Sequence, residues 1–168
     1  MRNLATYDPL TKLFTRRIFY ELTEQQLKVA NREKSSVAVM MADVDEFKKI
    51  NDMHGHFAGD QSLKLLGKII SETVRVSDIA GRVGGDEFIF CLPNTTAEGA
   101  KVLGNRLIAA ANKSQFNFDG KTIKMQLSVG VHACLIDNDY DVNDLFKQAD
   151  MALYEAKRKG KNQVQMLN

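Results

Sequence analysis

Two adjacent glycines, Gly84 and Gly85, separate the short apolar runs at 79–83 and 88–92. Glycine takes positive backbone φ at no steric cost, so this pattern folds as a tight β-hairpin. Two acids, Asp86 and Glu87, follow the glycines directly, and the turn therefore presents carboxylates. A third acid, Asp43, closes the continuous apolar run SVAVMMA at 36–42, which reads as a buried central strand. Acids gathered from neighbouring strands repel and raise one another's pKa unless a divalent cation neutralises them. Taken alone, the same residues also fit a polar strand end beside a polar hairpin.

The rest of the chain alternates between helical and strand periods. Residues 15–31 set Ile18, Leu22 and Leu27 among charges, as an amphipathic helix does. A second helical zone breaks near His54-Gly55 and resumes with Leu63, Leu66, Ile70 and Val74 on one face. Residues 97–111 give another helix, and 116–118 with 122–125 form a small hairpin across Asp119-Gly120. A strand at 126–133, a last helix at 142–159 and a terminal strand at 164–167 complete the series. The expected class is α+β, an α/β sandwich with a mostly antiparallel sheet.

A chain of 168 residues, 44% hydrophobic and 26% charged, suits one domain spanning 1–168. A net charge of +2 is too small for a nucleic-acid polymer as partner, although Arg16-Arg17, Lys48-Lys49 and the basic run at 157–161 could hold a polyphosphate. Cys91 and Cys134 lie in apolar stretches without metal-like spacing and read as small core residues in a reducing compartment. No apolar run reaches bilayer length and no signal-peptide core is present, so the expectation is a cytoplasmic domain without membrane contact. The pattern begins almost at once after Met1, which suits the C-terminal catalytic piece of a longer signalling protein.

Four blocks carry a resemblance. The opening one is Asp8-Pro9-Leu10-Thr11-Lys12-Leu13 with Arg16-Arg17. Next comes Asp43-Val44-Asp45-Glu46-Phe47-Lys48-Lys49-Ile50-Asn51-Asp52, followed by Gly55-His56 and Gly59-Asp60. The third is Gly84-Gly85-Asp86-Glu87-Phe88, preceded by Arg82. The last runs Ala152-Leu153-Tyr154-Glu155-Ala156-Lys157 and ends in Gly160-Lys161-Asn162. In this order and spacing, across nearly the whole chain, they resemble the GGDEF family of bacterial diguanylate cyclases. Lys12 departs from the family pattern, which has glycine there, and Thr15 stands where asparagine is usual.

The resemblance implies the ferredoxin-like palm of nucleotide cyclases, a central, mostly antiparallel sheet flanked by helices. It implies that two GTP are condensed into cyclic di-GMP with release of two pyrophosphates, by a homodimer using Mg²⁺, or Mn²⁺ in its place. Asp43, Asp86 and the carbonyl of Val44 would hold the metal, and Glu87 a second one. Asp86 or Glu87 would serve as the base. Asp45 would cap the helix beginning at Glu46, with metal binding as its lesser role. Asn51 and Asp60 would read guanine, whose N1–H and N2–H both donate to a carboxylate. His56 would lie near substrate or orient its loop. Lys48, Lys157 and Lys161 would contact phosphates, and Gly84 and Gly85 would let nucleotide approach the backbone. Arg75-Val76-Ser77-Asp78, with Arg106, would bind cyclic di-GMP as an inhibitor, the arginines on phosphate and Asp78 accepting from guanine. The rival readings are a silent sensor that binds nucleotide and an enzyme making an adenine-containing dinucleotide. A silent domain usually loses a hairpin glycine or a metal acid, and this chain keeps them all; Asp60 opposes adenine.

Overall fold

A computed structural model describes residues 5–167; residues 1–4 and 168 of the expected 1–168 unit lie outside the described residues. In chain order the elements are β1 (Phe14–Thr15), α1 (Arg16–Glu33), β2 (Ser36–Val44), α2 (Phe47–His54), α3 (His56–Thr73), β3 (Ile79–Gly84) and β4 (Glu87–Pro93). They continue with α4 (Ala97–Lys113), β5 (Gln115–Phe118), β6 (Lys121–Lys124), β7 (Leu127–Leu135), α5 (Val142–Arg158) and β8 (Val164–Met166). The main sheet runs β1-β3-β4-β2-β7-β8, and β5 pairs with β6 in a separate hairpin. Its inner pairings are all antiparallel. β4 lies between β2 and β3, and β2 between β4 and β7, so two split βαβ units interleave in the ferredoxin-like manner. Both edges are parallel, β1 on β3 and β8 on β7. The sheet is therefore mixed, because a strand returning through a crossover helix such as α5 runs parallel to its predecessor.

β2 is apolar throughout because it is covered on both faces. Ala38, Met40, Ala42 and Val44 pack with Phe88, Phe90 and Leu92 against Leu63, Leu66 and Ile70 of α3 and Leu107 of α4. Val37 and Val39 pack with Ile89 and Cys91 against Phe19 and Leu27 of α1 and Phe146 and Ala149 of α5. Each of the larger of these side chains (the Val, Leu, Ile, Phe and Met), fully buried, contributes about 1.5–3 kcal/mol. Both cysteines are free thiols. Strand alternation assigns Asp43 to the α1/α5 side.

On that side a glycine fixes how close α5 comes. A Cβ at Gly130 of β7 would stand 2.2 Å from the Ala149 carbonyl oxygen and 2.2 Å from the Leu153 nitrogen. With nothing larger tolerated there, α5 lies directly on the sheet. Among the described residues, no helix is long and apolar enough to cross a membrane.

Candidate active site

The hairpin turn falls one residue later than the glycine pair suggests. Gly84 is paired with Glu87, so Gly85 and Asp86 form the turn, and Gly85 supplies the positive φ of +52°. Asp86 thereby leaves strand alternation altogether. Glu87 faces Asp43 across the β2–β4 register, and Ser128 faces it from β7. Cross-strand partners share a face, so Asp43 and Glu87 do too, and the turn adds Asp86. The Asp86 carboxyl lies close enough to that of Asp43 for the second acid to raise its pKa. Behind it, the Val44 N–H donates to the Asp86 carbonyl at 3.4 Å.

The electrostatics of this pair suit a hard cation. Asp86 is pushed up to about 7, first by burial and then by the neighbouring Asp43 carboxylate. Oδ2 of Asp43 is ion-paired with Lys157, while Oδ1 is buried with no hydrogen-bond partner among the described residues. Carboxylate oxygens in this state are the ligands Mg²⁺ and Mn²⁺ take. Glu87 is exposed, and no group of three acidic, histidine or cysteine side chains closes on one point among the described residues. The pair, with the neighbouring Val44 carbonyl, is the donor set at hand.

Lys157 reaches Asp43 through matched rises. From Gly130 to Ser128, the partner of Asp43, is two strand residues, about 7 Å; from Leu153 to Lys157 is one helical turn, about 6 Å. The contact at Gly130 thus delivers Lys157 to the end of β2. Beyond α5, Gly160, Lys161 and Asn162 all have positive φ, and Lys161 pairs with Glu46 at 3.3 Å. Asp45 departs from its expected role, since α2 begins after Glu46 without a side-chain cap. Its buried carboxylate instead accepts from Ser128 Oγ at 2.6 Å and from the Asn162 N–H at 2.9 Å.

The expected base-reading residues meet where α2 turns into α3 at Gly55. The half-buried Asn51 lies against Gly59, where a Cβ would be 1.9 Å from Asn51 Oδ1, and exposed Asp60 follows Gly59. Lys48 and His56 are exposed and held by no hydrogen bond or ion pair among the described residues. A Cβ at Gly84 or Gly85 would meet nothing within 4 Å, so the turn lies open on this side.

The sequence reading gave Arg82 and Asp8 no role, yet they brace the turn. Arg82 Nε donates to the Gly85 carbonyl at 2.9 Å, and its Nη1 donates to both Asp8 oxygens at 3.2 and 3.3 Å. Asp8 also accepts from the Thr11 N–H and hydroxyl at 2.8 Å each. Opposite charges in two separate motif blocks were the available signal.

Arg75, Asp78 and Arg106 line a separate cleft of about 290 Å³ between the start of β3 and α4. Asp78 does not face it as a free acceptor. Its side chain is 1% exposed, and its oxygens accept from the Arg75 N–H, Nε and Nη2 at 2.8, 3.3 and 2.9 Å. Arg75 also donates to the Pro93 carbonyl and to Thr95 Oγ1.

Known proteins are similar to this chain in sequence and fold. Residues 5–163 match the family model described as "Diguanylate cyclase, GGDEF domain". Diguanylate cyclase A of Treponema denticola is 36% identical over 96% of this chain and 44% of its own length. The cyclic di-GMP phosphodiesterase NbdA of Pseudomonas aeruginosa is 38% identical over 100% of this chain but 21% of its own length. The chain thus spans less than half of these curated relatives. Among solved structures, the GGDEF domain of DgcB from Caulobacter crescentus in complex with c-di-GMP superposes with a TM-score of 0.91 at 25% identity, covering 99% of this chain and 98% of that one. Diguanylate cyclase SiaD of Pseudomonas aeruginosa, in complex with its activator SiaC, follows at 0.90 and 31% identity, covering 97% and 62%. By its blocks, its sheet and its place among these relatives, the chain belongs to the diguanylate cyclase GGDEF domain family.

Proposed function

We propose that the chain is the catalytic domain of a diguanylate cyclase, each copy binding one GTP and two copies facing each other to form cyclic di-GMP. The observation that carries this is the Asp43–Asp86 pair with its buried, unpartnered oxygen beside an open glycine turn. Asp43, Asp86 and the Val44 carbonyl would hold Mg²⁺, or Mn²⁺ in its place, which would supply neutralisation of the triphosphate charge. Asn51 and Asp60 read guanine, and Lys48, Lys157 and Lys161 hold phosphate. Glu87 is exposed and outside the acid pair, so it is free to accept the proton of the attacking hydroxyl or to meet a second cation. The 3′-oxygen of each GTP bonds to the α-phosphorus of the other, and the bond to pyrophosphate breaks. Positioning two reactants is the main catalytic resource of such a site. His56, exposed and held by no hydrogen bond or ion pair among the described residues, is free to turn toward substrate.

The Arg75 cleft is a product site through which cyclic di-GMP inhibits. Asp78 acts there by holding the Arg75 fork. A separate site of this kind couples to catalysis by stabilising non-productive pairs of subunits. The domain is read as cytoplasmic and as one module of a longer signalling protein.

Incubation with GTP and Mg²⁺, with products separated by anion exchange, tests the activity. One cyclic di-GMP and two pyrophosphates per two GTP are expected. Tight binding of GTP without turnover would favour a nucleotide-binding sensor instead.

A further inference from the structure

Of the lysines proposed to contact phosphate, one is already committed within the acid pocket. Lys157 is ion-paired with Asp43 Oδ2, whereas Lys161 pairs with Glu46 at an exposed position and Lys48 has no ion pair among the described residues. The placement of Lys157 follows from the close seating of α5 on the sheet, where a Cβ at Gly130 would stand 2.2 Å from the Leu153 nitrogen. An ammonium satisfies only part of this pocket. It carries a single charge against two acids, and Asp43 Oδ1 stays buried without a partner beside it. A divalent cation could take both Asp43 and Asp86 at once.

We infer that Lys157 is an internal counter-ion which a divalent cation must displace, so that cation loading and release of Lys157 toward the substrate's phosphates are one event. The inference rests on the reading of Asp43 and Asp86 as cation ligands. The side chain of Lys157 is 37% exposed, so its head can leave the acids for solvent while its stem stays on α5. Before substrate arrives, the lysine keeps the acids paired and weakens cation binding by the fraction of molecules in which it is engaged. Once displaced, it stands at the pocket rim with a free positive charge directed to the incoming triphosphate. The domain would therefore hold a cation weakly when alone and firmly only with nucleotide present.

The test uses MnCl₂ alone, without nucleotide, with free Mn²⁺ followed by electron paramagnetic resonance. If Lys157 is engaged in nine molecules of ten, Lys157→Met should bind Mn²⁺ about tenfold more tightly than the parent. Lys161→Met, which removes a charge of the same sign outside the pocket, should shift affinity by less than about twofold. Lys157→Gln serves as a second variant should Met fold poorly. Asp86→Asn should abolish binding in every background. Unchanged or weaker Mn²⁺ binding in both Lys157 variants, with Asp86→Asn still abolishing it, would overturn the counter-ion role and leave the cation site standing. An equal gain from Lys161→Met would reduce the effect to general electrostatics and equally overturn it. Mn²⁺ binding indifferent to Asp86→Asn would instead remove the cation site itself.

Discussion

Lys12 takes a φ of 65°, a conformation glycine adopts at no steric cost. The turn closed by Asp8 and Thr11 needs a left-handed residue, and a lysine there costs about 1–2 kcal/mol. Glycine would recover that cost less about 0.4–1 kcal/mol for its freer unfolded chain. Lys12→Gly should therefore raise the melting temperature by about 2–4 °C in calorimetry, with activity unaffected. Gly59 is the reverse case, since any Cβ there would collide with Asn51. Gly59→Ala should turn Asn51 out of the base pocket and weaken GTP binding about tenfold, by loss of a buried hydrogen bond. Titration calorimetry with a non-hydrolysable GTP analogue would measure it, with little change expected in melting. The Cys91 thiol, pushed up to about 12 by burial, should resist a thiol reagent until the protein unfolds. At this scale the candidate acids, glycines and lysines were named through the resemblance of the four blocks to a family, and of the lysines the structure brings Lys157 to the acids. Their partners were not legible: Lys157 meets Asp43 and Arg82 meets Asp8 across separations that no local pattern encodes.

The elements themselves were almost all readable, because a strand buried on both faces and an amphipathic helix leave different apolar periods. β1 was missed. It is two residues long, and its pairing partner lies in β3. The parallel edges also escaped, since direction is settled by crossover rather than composition. The failed cap at Asp45 shows what competes with local chemistry. Its carboxylate ties the end of β2 to β7 and to the segment leading into β8, and both partners lie more than eighty residues away along the chain. Asp45→Ala would leave the Ser128 hydroxyl and the Asn162 N–H without their acceptor, costing about 1–3 kcal/mol for each group. A fall of roughly 5–15 °C in melting temperature is expected, with β8 losing amide-exchange protection before the central strands. A loss confined to activity, with melting unchanged, would mean that Asp45 belongs to the cation site.

At the scale of the whole molecule, the proposed reaction needs two copies, and one copy carries a single acid pair. Below the concentration at which copies associate, pairs form by mass action, so a tenfold dilution should lower specific activity about tenfold. A dilution series followed by pyrophosphate release would show this, and a flat profile would point to a stable dimer or to a site complete in one chain. The pocket within one copy is assembled from distant parts of the chain: Asp8 braces it, β2 and the hairpin supply the acids, and α5 with the residue after it supplies Lys157 and the Asn162 N–H. A nascent chain that has left the ribosome only as far as Leu135 owns both carboxylates but neither their counter-ion nor the strand that seals the sheet. The pocket is therefore finished only when the last helix docks, and until α5 has emerged the two acids stand without Lys157.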